Sequence, residues 1–189
     1  AGSNYVIVPS AASGTGLQNN YTIQYVNGSL AVTPKPLTVT ANAASMSYGD
    51  AVLPSLSYSS TGLINGDSIS GNLATNAQVY NGSAGSASNV GSYAITQGSL
   101  SAGANYTMTY VGAALTVNPV NLTVTATDRS SVYGVSAPLG TTQFTSSGLV
   151  NGDVISGAVI NYNYGIATAI PGTVSVGTYA NHITLGALT

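Results

Sequence analysis

Two stretches decide the reading: NNYTIQYVNGSLAVTPKPLTVTANAASMSYG at residues 19–49 and ANYTMTYVGAALTVNPVNLTVTATDRSSVYG at 104–134. Laid side by side without a gap, they are identical at 16 of 31 positions. Tyr21 and Tyr106, Leu37 and Leu122, and Tyr48 and Tyr133 all stand 85 residues apart (106 − 21, 122 − 37, 133 − 48). Downstream the match continues after one inserted residue. GLINGDSISG at 62–71 returns as GLVNGDVISG at 148–157, and Tyr93 aligns with Tyr179. A repeat of this length is a small domain used in tandem, since solenoid repeats are shorter.

The boundaries follow from the register. Residues 36–119 make a complete repeat. Residues 1–35 match the C-terminal part of a repeat, because GSNYVIV at 2–8 resembles GSYAIT at 91–96. Residues 120–189 match the N-terminal part of a further repeat. The piece at the start is the piece missing at the end.

Within the repeat the apolar residues alternate. Tyr106, Met108 and Tyr110 face one way and Thr107 and Thr109 the other. Leu115 and Val117 resume the inward face after Gly112. In LTVTA, Leu37, Val39 and Ala41 face in, and Leu122, Val124 and Ala126 do the same in the second copy. LSYSS at 56–60 and SYAIT at 92–96 are two more short strands. Tyr, Val, Thr and Ile suit pleated surfaces, and the Asn-Gly pairs at 27–28, 65–66, 81–82 and 151–152 supply turns. The pattern predicts an all-β chain of tandem small antiparallel or mixed domains, β-sandwich or β-grasp-like, in an elongated array. Pro34, Pro36 and Pro119 stiffen the junctions between repeats.

Composition then removes whole classes of function. Charged residues make up 3% of the 189, against about 25% in an ordinary soluble domain. Nucleic-acid binding needs several cations to displace counterions from phosphates, and the chain has only Lys35 and Arg129. No apolar run reaches the roughly 20 residues of a membrane helix, so no membrane insertion is expected in this segment. With no cysteine there is no thiolate site.

The candidate structural residues recur in pairs: Tyr48 and Gly49 with Tyr133 and Gly134, and Asn65, Gly66 and Asp67 with Asn151, Gly152 and Asp153. The tyrosines read as packing anchors beside a turn. Asp67 and Asp153 are expected to accept hydrogen bonds from nearby backbone amides, as Asx turns do. Asp50 is replaced by Val135 in the second copy, so it reads as a surface variant and no carboxylate pair is built twice. His182 is the only histidine and makes a poor metal site alone. No catalytic, cofactor-binding or metal residue is assigned, and no enzyme is expected. Calcium is the one cofactor left open; it takes six to eight oxygens, and each repeat offers few carboxylates. Asn-x-Ser/Thr triplets at Asn20, Asn27, Asn81, Asn105 and Asn121 are sequons for glycosylation.

Taken together, LTVTA, the Tyr-Gly pair, GLxNGDxISG, VGSYAIT and NYTxxYV resemble the mostly-β glycine-rich (MBG) repeats of bacterial surface and secreted adhesins of filamentous-haemagglutinin type. The resemblance implies an extracellular or cell-surface location and a stalk or spacer role in adhesion or biofilm attachment. It carries no catalytic residues. Neighbouring repeats of the same protein are the first expected partner. Two other readings are a module that grips a host glycan, a matrix polysaccharide or a protein, and a filament subunit that completes itself by homotypic strand exchange.

Overall fold

The computed structural model describes residues 2, 4–138, 140–158, 160–162, 169–170 and 183–185. The described residues are all-β, apart from one helical turn at Leu17–Asn20. Its strands are β1 (Asn4–Ile7), β2 (Gly28–Ala31), β3 (Lys35–Ala41), β4 (Ala44–Ser47), β5 (Tyr58–Thr61), β6 (Ala74–Thr75), β7 (Gly91–Thr96) and β8 (Tyr106–Val111). They continue with β9 (Ala113–Asn118), β10 (Thr123–Ala126), β11 (Ala137–Pro138), β12 (Phe144–Ser147), β13 (Ile160–Tyr162), β14 (Ala169–Ile170) and β15 (Ile183–Leu185). Among the described residues no helix is long and apolar enough to cross a membrane.

The complete repeat is built on β3. On one side β3 pairs antiparallel with β5, from Thr38 opposite Thr61 to Ala41 opposite Tyr58. On the other it pairs in parallel with β8, from Lys35 opposite Tyr106 to Thr40 opposite Val111. A second sheet has the order β4-β9-β7-β6. Parallel pairing of an early strand with a late one needs a long crossover, and residues 42–105 supply it.

The expected alternation sets the core. Leu37, Val39, Leu115 and Val117 are each at most 1% exposed. Leu37 and Val39 pack with Leu100 and Tyr106, against Leu63, Ile69 and Met108. Each such aliphatic side chain contributes about 1.5–3 kcal/mol by leaving water. Tyr106, Met108 and Tyr110 form the more buried face of β8, while Thr107 and Thr109 are exposed.

The second copy repeats the backbone pairing. Strand β10 pairs antiparallel with β12, from Thr123 opposite Ser147 to Ala126 opposite Phe144. These are the positions of Thr38 and Thr61, and of Ala41 and Tyr58, moved on by one repeat. Even the flanking bonds correspond: Asn42 N–H to Ser57 O and Thr127 N–H to Gln143 O, both 2.9 Å. Burial does not correspond. Leu122, expected to face inward, is 40% exposed, and β10 is at most half-buried. The reason lies in pairing: β3 is flanked on both sides, whereas β10 pairs only with β12 among the described residues.

The N-terminal segment shows the same effect. β1 and β2 form an antiparallel pair with every residue exposed. Residues 21–26, equivalent to β8, form no strand. In the complete repeat that strand is held by β3.

The chain forms two compact units. The first comprises Ala1–Ala44, Pro54–Asn76 and Ser92–Thr116. The second comprises Ser45–Leu53, Ala77–Gly91 and Val117–Thr189. Their limits cut across the repeats: two loops of the complete repeat, 45–53 and 77–91, fold together with the start of the next repeat.

Candidate functional site

The recurring residues lie on two kinds of tight turn. In Ser47–Asp50 the Asp50 N–H donates to Ser47 O at 3.1 Å, and Gly49 has φ +83°. In Val132–Val135 the Val135 N–H donates to Val132 O at 3.0 Å, and Gly134 has φ +87°. Positive φ at the third residue alone is a type II turn, which accounts for glycine after tyrosine. The second turn runs Ile64–Asp67 in one copy and Val150–Asp153 in the other. Its central residues all have positive φ: Asn65 57°, Gly66 76°, Asn151 56° and Gly152 72°. That is the type I′ turn for which Asn-Gly is preferred. Both close with an Asp N–H to the residue three back, at 3.0 and 2.9 Å.

In the second compact unit the two turn types meet. The Tyr48 hydroxyl donates to Asp153 Oδ2 at 2.8 Å and accepts from Asn151 Nδ2 at 2.8 Å. Asn151 Oδ1 accepts from the Ala87 N–H at 3.0 Å, and its carbonyl accepts from the Gly85 N–H at 2.9 Å. Asn151 is 3% exposed and is the one buried polar residue among those described. These three bonds reach residues of the preceding repeat. The approach is close: a Cβ on Gly49 would stand 2.5 Å from Val150 Cγ2, and one on Gly152 would stand 2.7 Å from Ala84 Cβ. This latch between consecutive repeats needs the tyrosine hydroxyl, the asparagine amide, the aspartate and two glycines together.

Asp67 has a different partner. The Tyr106 hydroxyl donates to Asp67 Oδ2 at 2.7 Å and accepts from the Ile64 N–H at 3.2 Å. The carboxylate that holds this proton raises the ionisation of Tyr106 above the usual phenol value, with burial adding a smaller part. Tyr110 is also raised, by burial, and its hydroxyl donates to Ile95 O at 2.9 Å.

Two expectations change. The carboxylates of Asp67 and Asp153 accept from tyrosine hydroxyls rather than from turn amides. The turn-capping bond falls instead to Asp50, whose Oδ2 accepts from the Ser47 N–H at 2.8 Å. Where Val135 stands in the second copy, the Ser131 hydroxyl donates to the Val135 carbonyl at 2.6 Å. Tyr133, read as a packing anchor like Tyr48, is 66% exposed.

The loop that receives Asn151, Ser83–Ala87, was not singled out by the repeat pattern. Its signal was the small-residue run SAGSA at 83–87, which allows the backbone to approach Gly152. Among the described residues no three of His, Cys, Asp and Glu gather as a metal site would require. His182 and Tyr179 lie outside the described residues.

Residues 37–116 and 122–189 each match the model of the MBG domain of the YGX type. The chain belongs to the MBG domain family. The Tyr-Gly-X of that description is YGD at 48–50 and YGV at 133–135. The variable third position is the one where Asp50 caps its turn and Val135 does not. No curated protein and no solved structure matches the chain. MBG domains occur in surface or secreted bacterial proteins.

Proposed function

We propose that this chain is a length of stalk in a bacterial extracellular adhesin or fibre, and that its work is to set distance rather than to transform a substrate. The observation that carries this reading is the latch. The one buried polar residue among those described, Asn151, and the carboxylate of Asp153 are spent on joining one MBG repeat to the next. Asp67 serves inside its own repeat in a related way, tying Tyr106 to the Asn-Gly turn. A charge content of 3% leaves little for salt to screen.

Two measurements test it. Small-angle scattering of the 189-residue chain is expected to give the same radius of gyration from about 0.02 M to about 1 M salt. Marked compaction at either extreme speaks against a spacer. A glycan array probed with the same chain is expected to stay silent; a reproducible signal would replace the stalk with a binding module, for which exposed Tyr5 and Tyr21 are the first residues to mutate.

A further inference from the structure

The four Asn-Gly pairs carry a reaction of their own. The backbone nitrogen of the glycine attacks the side-chain carbonyl carbon of the asparagine, and glycine has no side chain to block that approach. The fold holds three of the pairs away from it. Asn65 and Asn151 stand second in type I′ turns, closed by the Asp67 and Asp153 N–H groups. In that conformation the glycine nitrogen lies anti to the asparagine side chain across the Cα–C bond. Asn151 is also buried, with both ends of its amide bonded. Gly28, after Asn27, is fixed in β2 opposite Ile7. In each of these a turn or a strand must open before the ring can close. Asn81–Gly82 differs. Both residues are exposed, and Asn81 does not share the positive φ of Asn65 and Asn151. A Cβ on Gly82 would meet nothing within 4 Å, and among the described residues nothing accepts from the Gly82 N–H. The Ser83 N–H donates to Asn81 Oδ1 at 3.1 Å. There it polarises the carbonyl and meets the negative charge that the oxygen takes up during attack.

We propose that Asn81–Gly82 is a self-modification site, where the chain deamidates without an enzyme, and that the product loosens the latch. The Gly82 nitrogen gives its proton to solvent and bonds to Asn81 Cγ; the Cγ–Nδ2 bond breaks and ammonia leaves. The succinimide so formed takes up one water at either carbonyl and opens to aspartate or isoaspartate. Nothing is oxidised or reduced. Isoaspartate routes the main chain through the former side chain and adds one carbon between residues 81 and 82. The loop has little slack for it. The Tyr80 N–H is bonded to Asp50 O at 2.8 Å, the Asn81 N–H to Ser86 Oγ at 3.0 Å, and the Ser86 N–H to Ser83 O at 3.2 Å. The same loop presents the Gly85 and Ala87 N–H groups to Asn151. Displacing Ser83–Ser86 therefore draws both donors away from the latch asparagine. Either product also adds one negative charge to a chain whose formal net charge is −2.

The test is to incubate the full isotope-labelled chain at mildly alkaline pH and follow its asparagine side-chain amides by NMR. Peptide mapping locates the isoaspartate. The Asn81 signal is expected to disappear about tenfold faster than those of Asn27, Asn65 and Asn151, which react only through local opening. The converted chain is then separated by its added charge and its amide exchange measured. Exchange at Gly85 and Ala87 is expected to be about tenfold faster than in the unconverted chain. Asn81→Ser is the control: serine still offers an acceptor to the Ser83 N–H and has no amide to lose. After the same incubation its Ala87 amide is expected to exchange as it did at the start. Three results would each overturn the proposal: loss of another Asn-Gly amide ahead of Asn81, unchanged Gly85 and Ala87 exchange in the converted chain, or an equal acceleration in incubated Asn81→Ser.

Discussion

Asn65 and Asn151 occupy the same turn position with φ of 57° and 56°, and only Asn151 is engaged across the repeat junction. Replacing each with alanine separates the turn from the latch. Alanine in the left-handed region costs roughly 1–2 kcal/mol, and this applies equally to both sites. Asn151→Ala loses two side-chain hydrogen bonds in addition, one from the Ala87 N–H and one to the Tyr48 hydroxyl. Each contributes about 1 kcal/mol, and leaving the buried Ala87 N–H unpaired adds about 1–3 kcal/mol. Asn151→Ala is thus expected to destabilise the junction by about 3 kcal/mol more than Asn65→Ala. Amide hydrogen exchange reads this locally. The Ala87 N–H should exchange on the order of 100-fold faster in Asn151→Ala than in the parent chain, and Asn65→Ala should leave it nearly unchanged. Equal effects from the two substitutions, or an unchanged Ala87 amide in Asn151→Ala, would refute the latch.

Tyr48→Phe keeps the ring and removes the hydroxyl that bridges Asn151 and Asp153; denaturant titration should show a loss of about 1 kcal/mol. The equivalent leucines should differ sharply, since Leu37 is 1% exposed and Leu122 is 40% exposed. Leu37→Ala is expected to cost about 2–5 kcal/mol and Leu122→Ala within about 1 kcal/mol, both measured by denaturant titration. At alkaline pH the Tyr106–Asp67 bond gives a signed effect. A phenol raised above its unfolded value of 10.0 in the folded chain stabilises fully below that pH, and the contribution is lost as pH rises through the folded value. Asp67→Asn should bring the Tyr106 ionisation down toward 10.0, read from the tyrosine ring carbons by NMR during a pH titration.

Much of the fold was legible because the cues are local. Alternation in LTVTA and NYTMTY placed Leu37, Val39, Tyr106 and Met108 on the correct faces. The Asn-Gly and Tyr-Gly pairs marked turns whose φ values repeat between copies. What escaped was non-local. Nothing in the text of β10 says that, among the described residues, it pairs only with β12, so Leu122 was expected to be as buried as Leu37. The partner of a carboxylate is equally invisible. Tyr48 lies 105 residues before Asp153 and Tyr106 lies 39 after Asp67, so neighbouring amides were the natural expectation. The units of sequence are the repeats, whereas packing assigns residues 45–53 and 77–91 to the group that begins the following repeat.

The parallel partnership of β3 and β8 has a mechanical corollary. A pull that enters at Lys35 and leaves beyond Val111 drags the two strands past each other along their length. All the cross-strand links from Lys35–Tyr106 to Thr40–Val111 then bear the load at once and cannot peel apart singly. A tether loaded in this direction yields late and abruptly, whatever is fastened to its far end.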